Sequence, residues 1–225
     1  MKFTFYGHAC FAIETDGKKL LFDPFISGNE LAKDIDINKI EADYILVSHG
    51  HGDHVADLVS IAKRTGAQVI AAYEIVDWVQ KQGITNVHPM NFGPANFDFG
   101  KVHFLPAWHS SSMPDGAYGG NPGGFLVHGK EHKFYYSGDT CLMMDMQLIP
   151  RYAKLDFAIL PVGGNFTMDA DDAVIAADFI KCDKVIGVHF DTFGYIKIDH
   201  QAAKEKFKAQ GKELILPNIG ETIIL

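Results

Sequence analysis

The stretch Ser48-His49-Gly50-His51-Gly52-Asp53-His54 sets three imidazoles and a carboxylate within six residues. Imidazole and carboxylate are borderline-to-hard donors that suit zinc, iron, manganese or nickel. A lone His-x-His says little, because paired histidines occur in ordinary turns, whereas His-x-His-x-Asp-His is a far more specific pattern. The glycines at 50 and 52 are expected to let the backbone bend so that neighbouring side chains turn inward. His49 and His51 could then reach one ion, and Asp53 and His54 a second. Each ion would still be short of ligands, so the pattern demands isolated His or Asp residues elsewhere, placed just after other apolar strands.

The chain supplies them. Val102–Trp108 runs into His109, Phe134–Gly138 into Asp139, and Val185–Val188 into His189. In open or layered α/β proteins, sites gather at the carboxyl ends of strands. Tyr44–Val47 feeds the His-rich stretch in the same way, and Val55, Leu58, Val59 and Ala62 follow it at helical spacing, which puts it at a strand-to-helix joint.

Further strands are expected at Lys2–Tyr6, Cys10–Thr15, Lys19–Phe22, Gln68–Ala71, Gly124–His128, Phe157–Leu160, Glu213–Ile215 and Thr222–Leu225. Asp16-Gly17 reads as a hairpin turn between the second and third. Amphipathic helices are expected over 53–64, 73–82, 169–181 and 199–210. Gly66, Gly83 and Gly211 close three of them, and Asp169 and Asp199 stand as N-caps. Strands crowd the regions before residue 48 and around 97–137, with helices between and after. This spacing suggests two sheets packed face to face with helices outside, a four-layer α/β arrangement of two similar halves meeting near residue 115. No linker or low-complexity tract interrupts residues 1–225, so one domain is expected.

Composition bounds the function. The chain has 225 residues, 20 basic against 28 acidic, and a formal net charge of −8. That balance argues against a broad electrostatic grip on nucleic acid. No stretch approaches the ~18 continuous apolar residues of a membrane span, and the polar Tyr6-Gly7-His8 breaks any signal-peptide core at the start. Cys10, Cys141 and Cys182 are too scattered for a disulfide framework. A cytoplasmic protein acting on a small molecule is the expectation.

His49-Gly50-His51-Gly52-Asp53-His54, the later His109, Gly138-Asp139-Thr140 and the late His189 resemble the metallo-β-lactamase superfamily, whose fold is an αβ/βα sandwich of two similar halves. Gly7-His8-Ala9-Cys10-Phe11, Asp23-Pro24-Phe25, the loop 109–125, the segment 138–149 and Pro161–Met168 narrow the likeness to small metal-dependent hydrolases related to ascorbate-6-phosphate lactonase. The resemblance covers essentially the whole chain. It implies that His49, His51 and His109 hold one ion and Asp53, His54 and His189 another, with Asp139 bridging both and a hydroxide between them as nucleophile. Two divalent ions follow, zinc first, with manganese, iron or nickel as alternatives. Asp53 would handle protons, although a metal-bound carboxylate is a poor base.

The resemblance also places a histidine near the substrate at His8; a core or turn histidine is the competing assignment. Asp23 could orient a ligand histidine or open an Asp-Pro turn. Ser110 and Gly164 are candidate pocket residues on loops that could equally be plain connections. Cys10 and Cys141 are read as inert thiols, and His88, His103, His128, His132 and His200 as structural or surface. A phosphodiesterase or nuclease using the same centre is the competing enzyme, and a non-catalytic metal-binding regulatory module the competing non-enzyme. A flavin-dependent di-iron reading would require a separate flavin partner. Related lactonases form rings, so a homo-oligomer is a further expectation by analogy.

Overall fold

A computed structural model describes residues 1–225. Seven strands make the first sheet: β1 (Lys2–Gly7), β2 (Cys10–Thr15), β3 (Lys18–Phe22), β4 (Tyr44–Leu46), β5 (Gln68–Ala72), β6 (Val87–Met90) and, from the far end of the chain, β14 (Thr222–Ile224). Seven more make the second: β7 (Gly93–Phe97), β8 (Gly100–Pro106), β9 (Gly123–His128), β10 (Lys133–Tyr136), β11 (Phe157–Pro161), β12 (Lys184–Val188) and β13 (Glu213–Ile215). The strand orders are β14-β1-β2-β3-β4-β5-β6 and β7-β8-β9-β10-β11-β12-β13. In each sheet the first three pairings are antiparallel and the last three parallel.

The halves therefore meet between β6 and β7, near residue 91, and not near 115 as the strand spacing suggested. The reason is that β6 and β7 are weak strands by sequence. Val87-His88-Pro89-Met90 and Gly93-Pro94-Ala95-Asn96-Phe97 each carry a proline, which cannot donate to a ladder and is confined largely to sheet edges. Edges are where both lie.

Phenylalanine rings tie the two sheets together. Phe22 of β3 stacks on Phe11 at 4.6 Å and meets Phe125 and Phe134 of the second sheet edge-on, each at 6.1 Å between centroids. The parallel strands β5, β11 and β12 are buried along almost their whole length, while β1 alternates between buried and more exposed residues, as expected for covered parallel strands and a half-exposed antiparallel one.

Helices α1 (Gly52–Val55), α2 (Leu58–Thr65) and α3 (Tyr73–Lys81) belong to the first half; α4 (Ile149–Tyr152), α5 (Ala170–Phe179) and α6 (His200–Ala209) belong to the second. Gly66 ends α2 in the left-handed conformation at φ +70°, and Asp169 and Asp199 cap α5 and α6 through their side chains. The one helix expected over 53–64 is two. Between them the Asp57 carboxylate accepts hydrogen bonds from Ile26 N at 2.6 Å, Ser27 N at 2.9 Å and Ser27 Oγ at 2.5 Å, and its own N–H goes to the Pro24 carbonyl. A side chain satisfying orphan backbone donors outcompetes helix continuity here. The break fastens the Asp23-Pro24-Phe25 loop beside the His-rich turn.

Candidate metal centre

Loops at the carboxyl ends of β1, β3, β4, β8, β10 and β12 converge on one spot. Three of these turns force left-handed backbone on ordinary residues: His8 at φ +55°, Asp23 at +41° and His189 at +54°. Such conformations cost of order 1–3 kcal/mol each and persist only where the surroundings over-determine them. A fourth turn uses Gly138 at φ +62°, where an added Cβ would sit 2.6 Å from the Gly123 carbonyl oxygen. Gly50 matters for a different reason from the one the sequence suggested. Its φ is not positive; a Cβ there would meet Met113 Sδ at 2.6 Å and the backbone of Ser112. The missing side chain lets the 110–119 loop close over the His-rich turn.

Three groups of ligand-type atoms result, each lying within 4.8 Å of itself: His49, His51 and His109; His8, Asp53, His54 and His189; and, behind these two, Asp23 with His49 and His54. One oxygen of Asp139 faces the first two. Asp139 Oδ2 lies 2.9 Å from His189 Nε2, 3.3 Å from His54 Nε2 and 3.7 Å from His109 Nε2. His54 Nε2 is buried and makes no hydrogen bond, the contact with Asp139 lying off hydrogen-bond geometry; His189 Nδ1 is likewise buried without a partner.

Asp23 sits behind this cluster, fully buried. It accepts from Ser48 N at 2.7 Å and Ser48 Oγ at 2.5 Å, from His54 Nδ1 at 2.8 Å and from the Tyr136 hydroxyl at 2.6 Å. This fixes the His54 ring so that Nε2 points at Asp139, the arrangement by which a carboxylate orients a ligating histidine. Ser48 Oγ also lies 3.0 Å from His49 Nδ1. Ser48, Asp57 and Tyr136 escape a reading by residue type. Their one signal is adjacency to the candidate ligands or to strand ends.

His8 lies inside the second group with its side chain fully buried, walled by the Phe25 and Phe193 rings at 5.5 and 5.3 Å. Its Nε2 is 3.0 Å from Asp53 Oδ2 and its Nδ1 is 3.0 Å from Thr192 Oγ1. Burial and the neighbouring His189 lower its pKa to about 4, against the pull of Asp53. The ring is therefore neutral at pH 7 with a single proton. Placed on Nε2, that proton goes to the Asp53 carboxylate, and the Thr192 hydroxyl donates to Nδ1.

The charges in the cluster follow from burial and neighbours. Burial opposes ionisation of Asp53, but the His8 N–H and the charge on His54 hold it well below the usual carboxylate range. Asp139 is also held low against burial, by His189 and His54. Burial depresses His49, His51 and His109. Burial works against a charged His54 too, yet Asp139 and Asp23 raise it well above the ordinary histidine value. His54 thus lies between two carboxylates, Asp23 at Nδ1 and Asp139 beside Nε2.

Of the remaining candidates, Ser110 Oγ lies 3.2 Å from His51 Nε2. Gly164 does not touch the cluster: it turns at φ +72° toward Asp169, and it is Gly163 whose backbone presses on the His189 carbonyl. Cys10 is buried with its thiol pKa pushed up by that burial, Cys141 is exposed, and neither joins a ligand group. No helix is long and apolar enough to cross a membrane.

Residues 18–190 match the family model described as Beta-lactamase superfamily domain. A UPF0173 metal-dependent hydrolase of Flavobacterium johnsoniae is 57% identical across 100% of both chains, and one of Methylacidiphilum infernorum 50% identical, again across 100% of both. Among solved structures, Igni18, a metallo hydrolase from the archaeon Ignicoccus hospitalis, superposes with a TM-score of 0.89 at 31% identity, covering 99% of this chain and 97% of its own. An isothiocyanate hydrolase from Delia radicum gut bacteria has a TM-score of 0.82 at 16% identity over 100% and 99% of the two chains, a likeness of fold alone. The chain belongs to the beta-lactamase superfamily and is a metal-dependent hydrolase of metallo-β-lactamase fold.

Proposed function

We propose that this hydrolase works with two divalent cations, zinc in the first instance, on an ester, lactone or related carbonyl bond of a small substrate. The observation that carries the reading is the single Asp139 oxygen facing imidazoles of both groups. The donor set fits a pair of such ions: it contains only imidazoles and carboxylates, and His54 Nε2 is buried, oriented and unpartnered. In this reading His49, His51 and His109 hold one ion, Asp53, His54 and His189 the other, and Asp139 serves both. Bound together, the ions would bring the pKa of a water from ~16 towards ~7, making it a hydroxide nucleophile at neutral pH, and polarise the carbonyl under attack.

The chain's own groups do the rest. Asp23 fixes the direction of His54, and neutral His8, through its N–H, fixes the Asp53 carboxylate. With His8 holding it, Asp53 acts here by position before it acts on any proton. Ser110, within reach of His51, stands at the rim where a substrate oxygen would enter. No lysine or arginine joins the hydrogen-bond and ion-pair network of the cluster. A phosphodiester would therefore find its cationic partners in the ions alone, with no side-chain cation to bind the rest of its charge.

The test is turnover of a panel, with metal-loaded and chelator-stripped protein in parallel. It comprises a sugar lactone, an aryl ester, a thioester, a phosphodiester and, prompted by the fold neighbour, an isothiocyanate. Metal-dependent cleavage of a carbonyl substrate is expected. Cleavage of the phosphodiester alone would replace the reading, and turnover that survives chelation would end it.

A further inference from the structure

A cavity lies away from the metal centre, on the outer face of the second sheet. Its volume is about 540 Å³, within the range that holds a small organic ligand. Strand register puts Pro94, His103, Leu126 and Tyr135 abreast across β7, β8, β9 and β10. Pro94, His103 and Tyr135 form part of the floor, and Met146, Ile149 and Tyr152, from the single-turn segment 144–148 and α4, form part of the roof. Phe92, Leu148 and Tyr152 remain substantially exposed at the edge, so apolar surface is left facing an opening, as it is at ligand grooves.

One polar group in this floor stands out. Tyr135 is 0% exposed, lines the cavity, and its hydroxyl has no hydrogen-bond partner. A buried hydroxyl without a partner is costly, and the cost is relieved when something supplies an acceptor. The cavity also limits what that acceptor belongs to. No lysine or arginine lines it, Asp145 does, and burial keeps His103 below its usual pKa and so neutral at pH 7. A carboxylate or phosphate would meet a like charge and no counter-charge. An ammonium has no lone pair to accept from the tyrosine; it could only donate to the tyrosine oxygen, which would leave the O–H unpartnered.

We propose that this cavity binds a small uncharged amphiphile, its hydrocarbon body against the apolar walls and its carbonyl or hydroxyl oxygen accepting the Tyr135 O–H. The site shares no residue with the metal groups, and the inference is independent of the bond that the metal centre cleaves.

The probe is 2-octanone, an uncharged chain with one acceptor, titrated into the metal-loaded protein and followed by amide chemical shifts. Shifts are expected at Phe92, Leu148 and Tyr152. Affinity should fall about fifteenfold on shortening to 2-hexanone, at ~0.8 kcal/mol per buried methylene. Octanoate should bind far more weakly than 2-octanone. Tyr135→Phe should weaken 2-octanone roughly tenfold while raising the thermal midpoint of the ligand-free protein, a pairing that a purely structural tyrosine would not give. Equal binding of octanoate, an unchanged affinity in Tyr135→Phe, or no shifts beyond those of water exchange would each overturn the proposal. So would concentration-dependent shifts at these residues with a dimer in sedimentation, which would make the face a contact between copies of the chain.

Discussion

Asp23 and Asp139 hold matching places in the two sheets. Each follows the strand at which antiparallel pairing gives way to parallel, β3 in one sheet and β10 in the other, and each is buried. Their surroundings differ. Asp23 receives a backbone N–H, two hydroxyls and an imidazole from its own protein, whereas Asp139 faces only imidazole nitrogens that need partners themselves. The pair His8 and His109, after β1 and β8, repeats the contrast. His8 is sealed and bonded at both nitrogens, while the His109 side chain keeps 15% exposure. Equal topology therefore yields unequal chemistry. A strand-end carboxylate becomes framework where donors saturate it and stays available to a cation where they do not.

The largest effect should come from Asp139→Ala. Removing the shared oxygen is expected to lower metal content below two ions per chain and turnover by about a thousandfold, the several kcal/mol that metal polarisation supplies. Metal analysis beside kinetics reads both, and full activity with full metal would break the contrast at its centre.

Asp23→Ala should differ in kind. It strands His54, Ser48 and Tyr136, so the fold itself should lose about 3–5 kcal/mol, and metal affinity should fall 10–100-fold through the misdirected imidazole. Chemical denaturation of the metal-free variants tests the pair directly. If Asp139→Ala destabilised the metal-free protein more than Asp23→Ala, the assignment of framework and available carboxylate would be reversed.

His8 makes the pH dependence specific. Its folded pKa of about 4 lies below the unfolded value near 6.5, so its contribution is present above pH 6.5 and is lost as pH falls toward 4. The loss is on the order of 3 kcal/mol. His54 works in the opposite sense: its raised pKa stabilises the metal-free fold below about 6.5, and that contribution disappears as pH climbs through the folded value. Denaturation of metal-free His8→Asn should show a shallower decline between pH 6.5 and 4, and an unaltered slope would remove His8 from that role.

The smallest change is Tyr136→Phe, which deletes one of the four donors to Asp23. About 1 kcal/mol of stability should go, with metal affinity altered only a few-fold. A loss as large as that of Asp23→Ala would mean that this hydroxyl, and not the carboxylate, organises the frame.

Residue types and local spacing alone picked out the seven ligand candidates, because ligands on strand ends leave a local signature: an apolar run, then His or Asp. The helix caps at Gly66, Asp169 and Asp199 were legible for the same reason, since capping is a matter of adjacent residues. Pairing and partnership were not. β6 and β7 carry prolines and too little alternation to announce themselves, so only the ladders place the boundary between halves near residue 91. The break at Asp57 depends on donors 30 and 31 residues away in sequence. Likewise, nothing in the spelling of Asp23 and Asp139 says which is saturated; the answer comes from Ser48, His54 and Tyr136, brought together by two sheets packed face to face. Sequence determined which groups could bind an ion, because donor chemistry is a property of the residue. Tertiary structure decided which of them remain free to do so, because hydrogen-bond saturation is a property of the neighbours.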